Sequence, residues 1–184
     1  MQQKRLILTA LFTALIIVGS YIRFPLPPVP FTLQTLFVLL AGFLGGSRMA
    51  LFSILIYLLL GFIGLPVYSG GGGIAYLLGP TGGFLIGLIP ASFVSGLGGN
   101  YPHKSEHPSR YILRCTLSGV AATLLIYLFG VSWLKVSRSL PWKATLQAGM
   151  LPFVVGDAVK LAVAIHLARS FHPRVERFLD ATLA

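Results

Sequence analysis

The sequence predicts an all-α integral membrane protein built as a compact bundle of six transmembrane helices. Of its 184 residues, 55% are hydrophobic and only 10% are charged, whereas a soluble domain carries roughly 25% charged residues. The mean hydropathy of +0.85 and the repeated apolar runs are typical of this class. Because no polar linker is long enough to separate two domains, we expect residues 1–184 to form a single membrane-embedded domain.

Six apolar segments account for most of the chain. They cover residues 6–22, 31–46, 49–65, 79–98, 111–134 and 144–168. Several are shorter than the about 20 residues that a helix needs to cross a bilayer. We therefore expect short or re-entrant ends that neighbouring helices cover, because backbone polar groups at membrane depth must be shielded from lipid.

The basic residues predict the orientation of the bundle. An even number of spans puts both termini on one side. That side carries Lys4, Arg5, Arg48, Lys104, Arg110, Arg114, Arg169, Arg174 and Arg177, and the other side carries Arg23, Lys135, Arg138 and Lys143. This excess places both termini in the cytoplasm. The formal net charge of +10 does not indicate nucleic-acid binding, because the basic residues flank apolar segments instead of lining one polar face.

Unusual backbone is concentrated on the predicted outer side. The first outer loop, "RFPLPPVPFT" (23–32), is rich in proline, which stiffens it into extended backbone. The second, residues 65–84, contains the consecutive glycines Gly70 to Gly73, which permit positive φ and close backbone approach. We therefore expect a ligand site near the outer face.

The last apolar segment contains a carboxylate and an amine, Asp157 and Lys160. Each costs about 2.5–3.5 kcal/mol at mid-membrane, and at a spacing of three they share a helix face and can neutralise each other. A purely structural pair is the alternative, but replacing a buried ion pair by apolar residues is often neutral or stabilising. We therefore favour a site for a small ligand with N–H donors at one end and an acid at the other. Gln34 either contacts the same ligand or bonds to a neighbouring helix.

No catalytic or metal-binding arrangement is visible. The serines are scattered without a matching base, and the histidines lack the spacing of metal ligands. The glycine run is not followed by the Gly-Lys-Ser/Thr of a phosphate-binding loop. The sequence predicts no enzyme, no metal and no cofactor, so energy for transport against a gradient must come from another protein.

Three stretches together resemble the BioY family. They are "PLPPVPFTLQTLFVLLAG" (25–42), "GLPVYSGGGG…YLLGPTGGFLIG" (64–87) and "PFVVGDAVKLAVA" (152–164). The resemblance covers all six segments in order, and the combination is more specific than any one stretch. BioY proteins are the biotin-specific substrate-capture subunits, or S components, of energy-coupling factor (ECF) transporters.

The resemblance implies a protein of the cytoplasmic membrane with its vitamin site near the outer face. It also implies partners, namely a transmembrane coupling subunit and two cytoplasmic ABC-type ATPases. In S components a small-residue A-x-x-x-A motif on the first helix contacts the coupling subunit, and Ala10 and Ala14 match it here. Small residues suit such a contact, because helix association in lipid depends on close packing.

The resemblance makes Asp157 and Lys160 the biotin-binding residues of the last helix. We expect Asp157 to accept a ureido N–H while Lys160 neutralises Asp157 or reaches a ligand oxygen, with the reverse assignment left open. Further pocket candidates, supplying an amide, hydroxyls and aromatic walls, are Gln34, Tyr76, Thr81 and Phe84.

Two alternatives remain at this point. An S component for another vitamin, such as the cationic thiamin, would favour an unpaired acid with aromatic stacking. A structural membrane protein without a small-molecule ligand would keep every activity when both charges are neutralised together.

Overall fold

The structure, a computed structural model, describes residues 2–99 and 108–180. Within these ranges the chain forms seven helices and one short hairpin. In order, they are α1 (Gln2–Tyr21), β1 (Arg23–Phe24), β2 (Phe31–Thr32), α2 (Gln34–Phe62), α3 (Ile74–Leu77), α4 (Gly82–Gly99), α5 (Pro108–Arg138), α6 (Trp142–Gly149) and α7 (Leu151–Asp180).

Helix α2 consists of two antiparallel halves, because the chain reverses at Gly46 (φ 74°, ψ 174°), a conformation that favours glycine. Near the end of α1, a Cβ on Gly19 would lie 3.1 Å from the Cα of Gln34 at the start of α2. The neighbouring Ser20 hydroxyl donates to the carbonyl of Val67, 2.7 Å away and just beyond the end of α2. Both ends of α2 therefore lie beside the same end of α1.

Five helical stretches in the described part of the chain are long and apolar enough to cross a membrane: α1, α2, α4, α5 and the stretch 142–180. Counting the halves of α2 separately gives six. The predicted all-helical, six-helix membrane bundle is confirmed.

The observed elements differ from the predicted segments in several places: α3 was not predicted, and α7 continues to Asp180 instead of ending at 168. Residues 31–32 form β2, paired antiparallel with β1, so the second helix begins only at Gln34. The segment predicted as continuous from 144 is interrupted at Met150 (φ −136°, ψ −58°), which separates α6 from α7. Pro152, which lacks an N–H, falls in the first turn of α7, where no helical hydrogen bond is lost, and this position favours the restart.

The end of the bundle that holds Gly46 is called the inner end, and there α2 and α4 touch through their backbones. A Cβ on Gly96 of α4 would lie 2.2 Å from the backbone nitrogen of Ser47. The Ser47 hydroxyl donates to the carbonyl of Phe93, 2.8 Å away. Small residues permit this approach, as in other membrane helix pairs.

Both described ends of the chain lie at the inner end, where Lys4 Nζ donates to the carbonyl of Leu179, 3.4 Å away. A groove there is lined by Arg5 and Arg48, whereas Arg23 and Arg138 line a cavity at the opposite, outer end. The basic residues that the sequence assigned to opposite sides, Arg5 and Arg48 against Arg23 and Arg138, thus lie at opposite ends of the bundle. Lys104 lies outside the described residues. That the inner end is cytoplasmic stays a prediction.

Two loops cover the outer end and are joined to each other; together they are called the roof, the β1–β2 hairpin (23–32) and the loop 63–73. The hydroxyl of Tyr21 donates to the carbonyl of Pro66. The guanidinium of Arg23 donates to the carbonyl of Ser69. The Arg23 bond joins the two loops, whereas the Tyr21 bond and the Ser20 bond described above tie the second loop to the end of α1.

Tyr68 anchors the second loop of the roof. Its side chain is fully buried, and its ring packs directly on Gly61, since a Cβ at that position would lie 2.0 Å from the ring. Its hydroxyl donates to the carbonyl of Leu58, 2.7 Å away. Burial raises the pKa of Tyr68 to about 12, so this hydroxyl stays protonated and remains a donor at neutral pH.

Candidate ligand-binding site

A cavity of about 610 Å³, including its opening, lies beneath the roof between α2, α4, α5 and α7. It is lined by all six residues that the sequence singled out for a pocket: Gln34, Tyr76, Thr81, Phe84, Asp157 and Lys160. The structure thus brings together residues from four separate parts of the chain. Their role in binding stays a prediction.

The carboxylate and the amine form a buried ion pair on one turn of α7. Lys160 Nζ lies 2.9 Å from Asp157 Oδ1, and the two side chains are 7% and 12% exposed, respectively. Their spacing of three residues puts them on the same helix face. The pair is neutral as a whole, which lowers the cost of placing it within the membrane.

Lys160 makes two further contacts inside the bundle. Its Nζ donates to Thr35 Oγ1, 3.1 Å away, and lies 3.6 Å from the centre of the Phe31 ring, a favourable cation–π distance. The ring reaches this place because residue 156 is glycine, where a Cβ would lie 2.4 Å from it. Of the three N–H donors of an ammonium, the carboxylate and the hydroxyl engage two, and the ring lies against the same ammonium.

Asp157 keeps acceptor capacity towards the cavity. Its Oδ1 accepts from Lys160 and its Oδ2 accepts from the hydroxyl of Tyr127 on α5. An ionised carboxylate offers about four lone-pair positions. About two acceptor positions therefore remain for N–H donors of a ligand.

The amide of Gln34 has a donor without a partner. Gln34 is 7% exposed, and its Nε2 makes no hydrogen bond to the described residues; the same holds for the nearby hydroxyl of Tyr57. A buried unsatisfied donor costs about 1–3 kcal/mol. Because an amide nitrogen carries two N–H donors, one stays available to a ligand even where the other reaches Tyr57.

The remaining predicted residues form the walls. The Tyr76 ring stacks on Tyr68 at a centroid distance of 5.4 Å, and its hydroxyl shares a hydrogen bond of 2.8 Å with Ser69. Phe84 packs so closely on α5 that a Cβ on Gly130 would lie 2.2 Å from its ring. Thr81, just before α4, lines the cavity beside them.

Sequence reasoning missed Tyr127, Thr35 and Phe31 as parts of this site. Phe31 and Thr35 flank Gln34 within "PFTLQTLF", so proximity to a candidate was a usable signal. Tyr127 lies in the apolar fifth segment among several other hydroxyl side chains, so nothing in the sequence distinguished it. Phe153 was also missed; it stacks on Phe31 at a centroid distance of 6.0 Å.

Ala10 and Ala14 lie elsewhere, on an exposed face of α1. That face is open to lipid or to another membrane protein. The described residues contain no group of three histidine, cysteine, aspartate or glutamate side chains arranged to hold a metal ion.

These features define a class: a multi-pass, all-helical membrane protein with a cavity beneath its outer end that is lined mainly by apolar groups and holds a buried ion pair. Residues 1–177 match the BioY family. The chain therefore belongs to the BioY family.

Individual relatives agree over nearly the whole chain. It is 43% identical to the probable biotin transporter BioY of Pyrococcus horikoshii over 169 residues, which cover 91% of this chain and 96% of that protein. It is 42% identical to the biotin transporter BioY of Thermotoga maritima over 166 residues, covering 90% and 94%. These matches confirm the resemblance, the multi-pass membrane location and the prediction that the chain is a transport protein and not an enzyme.

A solved structure has the same fold. It is the crystal structure of the S component for biotin from an ECF-type ABC transporter, with a TM-score of 0.78 and 28% sequence identity. The similarity covers 94% of this chain and 92% of that one.

Proposed function

We propose that the chain is the biotin-binding S component of an ECF-type ABC transporter and that it mediates biotin uptake across the cytoplasmic membrane. The named relatives and the solved S component support this proposal. The observation that carries it is the carboxylate of Asp157, buried in the cavity with acceptor positions to spare and neutralised by Lys160.

The ureido ring of biotin matches the polar groups of the cavity. Its two N–H donors suit the free acceptor positions of Asp157, and its carbonyl suits the unpaired amide donor of Gln34. Because Lys160 is already paired with Asp157 and bonded to Thr35, this residue positions and neutralises Asp157 in our proposal. The apolar bicycle then lies against the aromatic walls of Tyr76 and Phe84.

The geometry favours biotin over thiamin. A cationic vitamin needs a net negative site, whereas the only carboxylate among the described lining residues is already neutralised at 2.9 Å. Adding a cation beside the Lys160 ammonium would place two like charges in a site of low dielectric constant, which is unfavourable.

Calorimetric titration of the purified chain tests the ligand. We expect biotin to bind with ~1:1 stoichiometry and thiamin not to compete. The double variant Asp157→Asn with Lys160→Met removes the pair without leaving an unpaired charge, so it should stay folded, shown by its thermal unfolding, and lose biotin binding.

A structural role for the pair makes the opposite prediction. In that case the folded double variant would bind biotin like the wild type. Absence of any binding by folded wild-type protein would refute the proposed function itself.

The proposed partners are a transmembrane coupling subunit and two cytoplasmic ABC ATPases. The exposed small residues Ala10 and Ala14 on α1 support a contact with the coupling subunit, because close helix approach in lipid needs small side chains. In cells that express all subunits, Ala14→Leu should abolish biotin uptake and leave binding unchanged. The control is Ala162→Leu, at an exposed alanine of α7, and wild-type uptake by Ala14→Leu would exclude this contact.

A further inference from the structure

A second cavity, the outer vestibule, lies directly above the binding cavity. It encloses about 960 Å³ including its opening, between the proline-rich hairpin, the residues around Thr81 and the end of α5. Pro30, Tyr76 and Thr81 line both cavities. The vestibule therefore adjoins the binding cavity on its outer side.

Two arginines line the vestibule from opposite sides. Arg23 belongs to β1, and Arg138 is the last residue of α5. Both are exposed. Lys135 and Lys143 lie at the same end of the molecule, so this end is strongly basic.

Acidic residues do not offset this charge in the described part of the chain. Asp157 is engaged below the vestibule with Lys160, and Glu176 and Asp180 belong to the last turns of α7 at the inner end. A concave surface of one sign of charge concentrates ions of the opposite sign and speeds their association.

The binding cavity itself offers no spare cation for a carboxylate. Lys160 is the only cationic side chain among the described residues that line it, and it is already paired with Asp157, bonded to Thr35 and packed against the Phe31 ring. A ligand with a carboxylate must therefore find its electrostatic partner outside the cavity, and Arg23 and Arg138 line the space that leads out.

We propose that Arg23 and Arg138 form an access site that draws the carboxylate of an anionic ligand into the vestibule and directs the uncharged end of the ligand towards Asp157. This inference rests on the proposed function, because it takes biotin as the ligand. It adds that the ureido ring enters first and that the carboxylate stays at the outer opening.

Association kinetics test the access site. The full-length chain in nanodiscs of zwitterionic lipid is mixed rapidly with biotin or with biotinamide, in which a neutral amide replaces the carboxylate. Tryptophan fluorescence reports binding, since Trp133 donates to the carbonyl of Gly79 at the vestibule, 2.9 Å away. The salt concentration is varied between about 10 mM and about 500 mM, where the Debye length falls from about 30 Å to a few ångströms.

We expect the association rate of biotin to fall about tenfold over this range and that of biotinamide to change little, the size typical of modest electrostatic steering. At low salt, Arg138→Gln should slow the association of biotin about threefold to fivefold. Arg138→Lys should retain most of the wild-type rate. Arg138 is the better test position, because Arg23 also joins the two loops of the roof.

Lys143→Gln is the matched control, since it removes the same charge from the same end of the molecule but not from the vestibule lining. Equal slowing by Lys143→Gln and Arg138→Gln would overturn the access site in favour of the general charge of the outer face. If Arg138→Gln slows the association of biotin and of biotinamide equally, the effect is steric and the access site is wrong. If folded wild-type protein binds neither compound, both the proposed function and the access site fail, whereas salt-independent binding of biotin overturns only the access site.

Discussion

The outer and inner ends of the bundle use the same helices in opposite ways. At the inner end, α2 and α4 meet through Gly96 and Ser47 with their backbones in contact. At the outer end, the cavity lies between them, with Gln34 of α2 and Leu88 of α4 among its lining residues. Since no hydrophobic force drives helices together in lipid, side-chain size sets their separation. A helix pair with glycine contacts at one end and a cavity at the other forms a wedge, with room for a ligand at the wide end.

The wide end should depend for its stability on the ion pair. Asp157→Asn leaves the Lys160 ammonium buried without its carboxylate, so we expect the free energy of unfolding to fall by about 3–5 kcal/mol. Thermal unfolding in detergent measures this. Adding Lys160→Met to Asp157→Asn should restore most of the stability, and an equally unstable double variant would show that the pair stabilises the helices directly.

The narrow end should depend on the absence of side chains. Gly96→Ala places a Cβ 2.2 Å from the backbone of Ser47, so we expect a loss of about 3 kcal/mol of stability. Gly87→Ala is the control on the same helix, where the nearest atom to the new Cβ is 3.1 Å away and the better helix propensity of alanine offsets the contact. Similar unfolding temperatures for both variants would contradict the wedge.

The smallest expected effect has opposite signs for stability and binding. Gln34→Leu removes a buried donor that lacks a partner in the ligand-free protein, so stability should rise by about 1 kcal/mol. Biotin affinity should fall about tenfold, which is about 1.4 kcal/mol. Unfolding and titration of the same preparation give both numbers. Unchanged affinity would remove Gln34 from the ligand contacts.

Much of the fold follows from hydropathy, because lipid forces the backbone of each spanning segment into helix. The break at Gly46 separates segments that were predicted to end at 46 and to restart at 49, and only glycine tolerates its positive φ easily. The hairpin of β1 and β2 was not predicted, because two-residue strands carry no periodic pattern. Likewise, the separation of α6 from α7 depends on a single residue, Met150.

The residues of the candidate site that the sequence predicts are those whose polar side chains are unfavourable within the membrane. Asp157, Lys160 and Gln34 stand out because each is costly in an apolar segment. The phenol of Tyr127 did not stand out, since tyrosine is common in membrane helices and its contact with Asp157 spans thirty residues of sequence. Similarly, the contact between Phe31 of β2 and Lys160 of α7 joins residues that lie far apart in the sequence, so no local pattern predicts it.

The roof has a kinetic consequence. Ser20, Tyr21 and Arg23 follow one another along the chain, and each donates to a backbone carbonyl of the loop 63–73. Ser20 and Tyr21 tie this loop to the end of α1, Arg23 ties it to the hairpin, and Tyr68 holds it against Gly61. We therefore expect the loop to open only as often as the Tyr68 ring leaves its place.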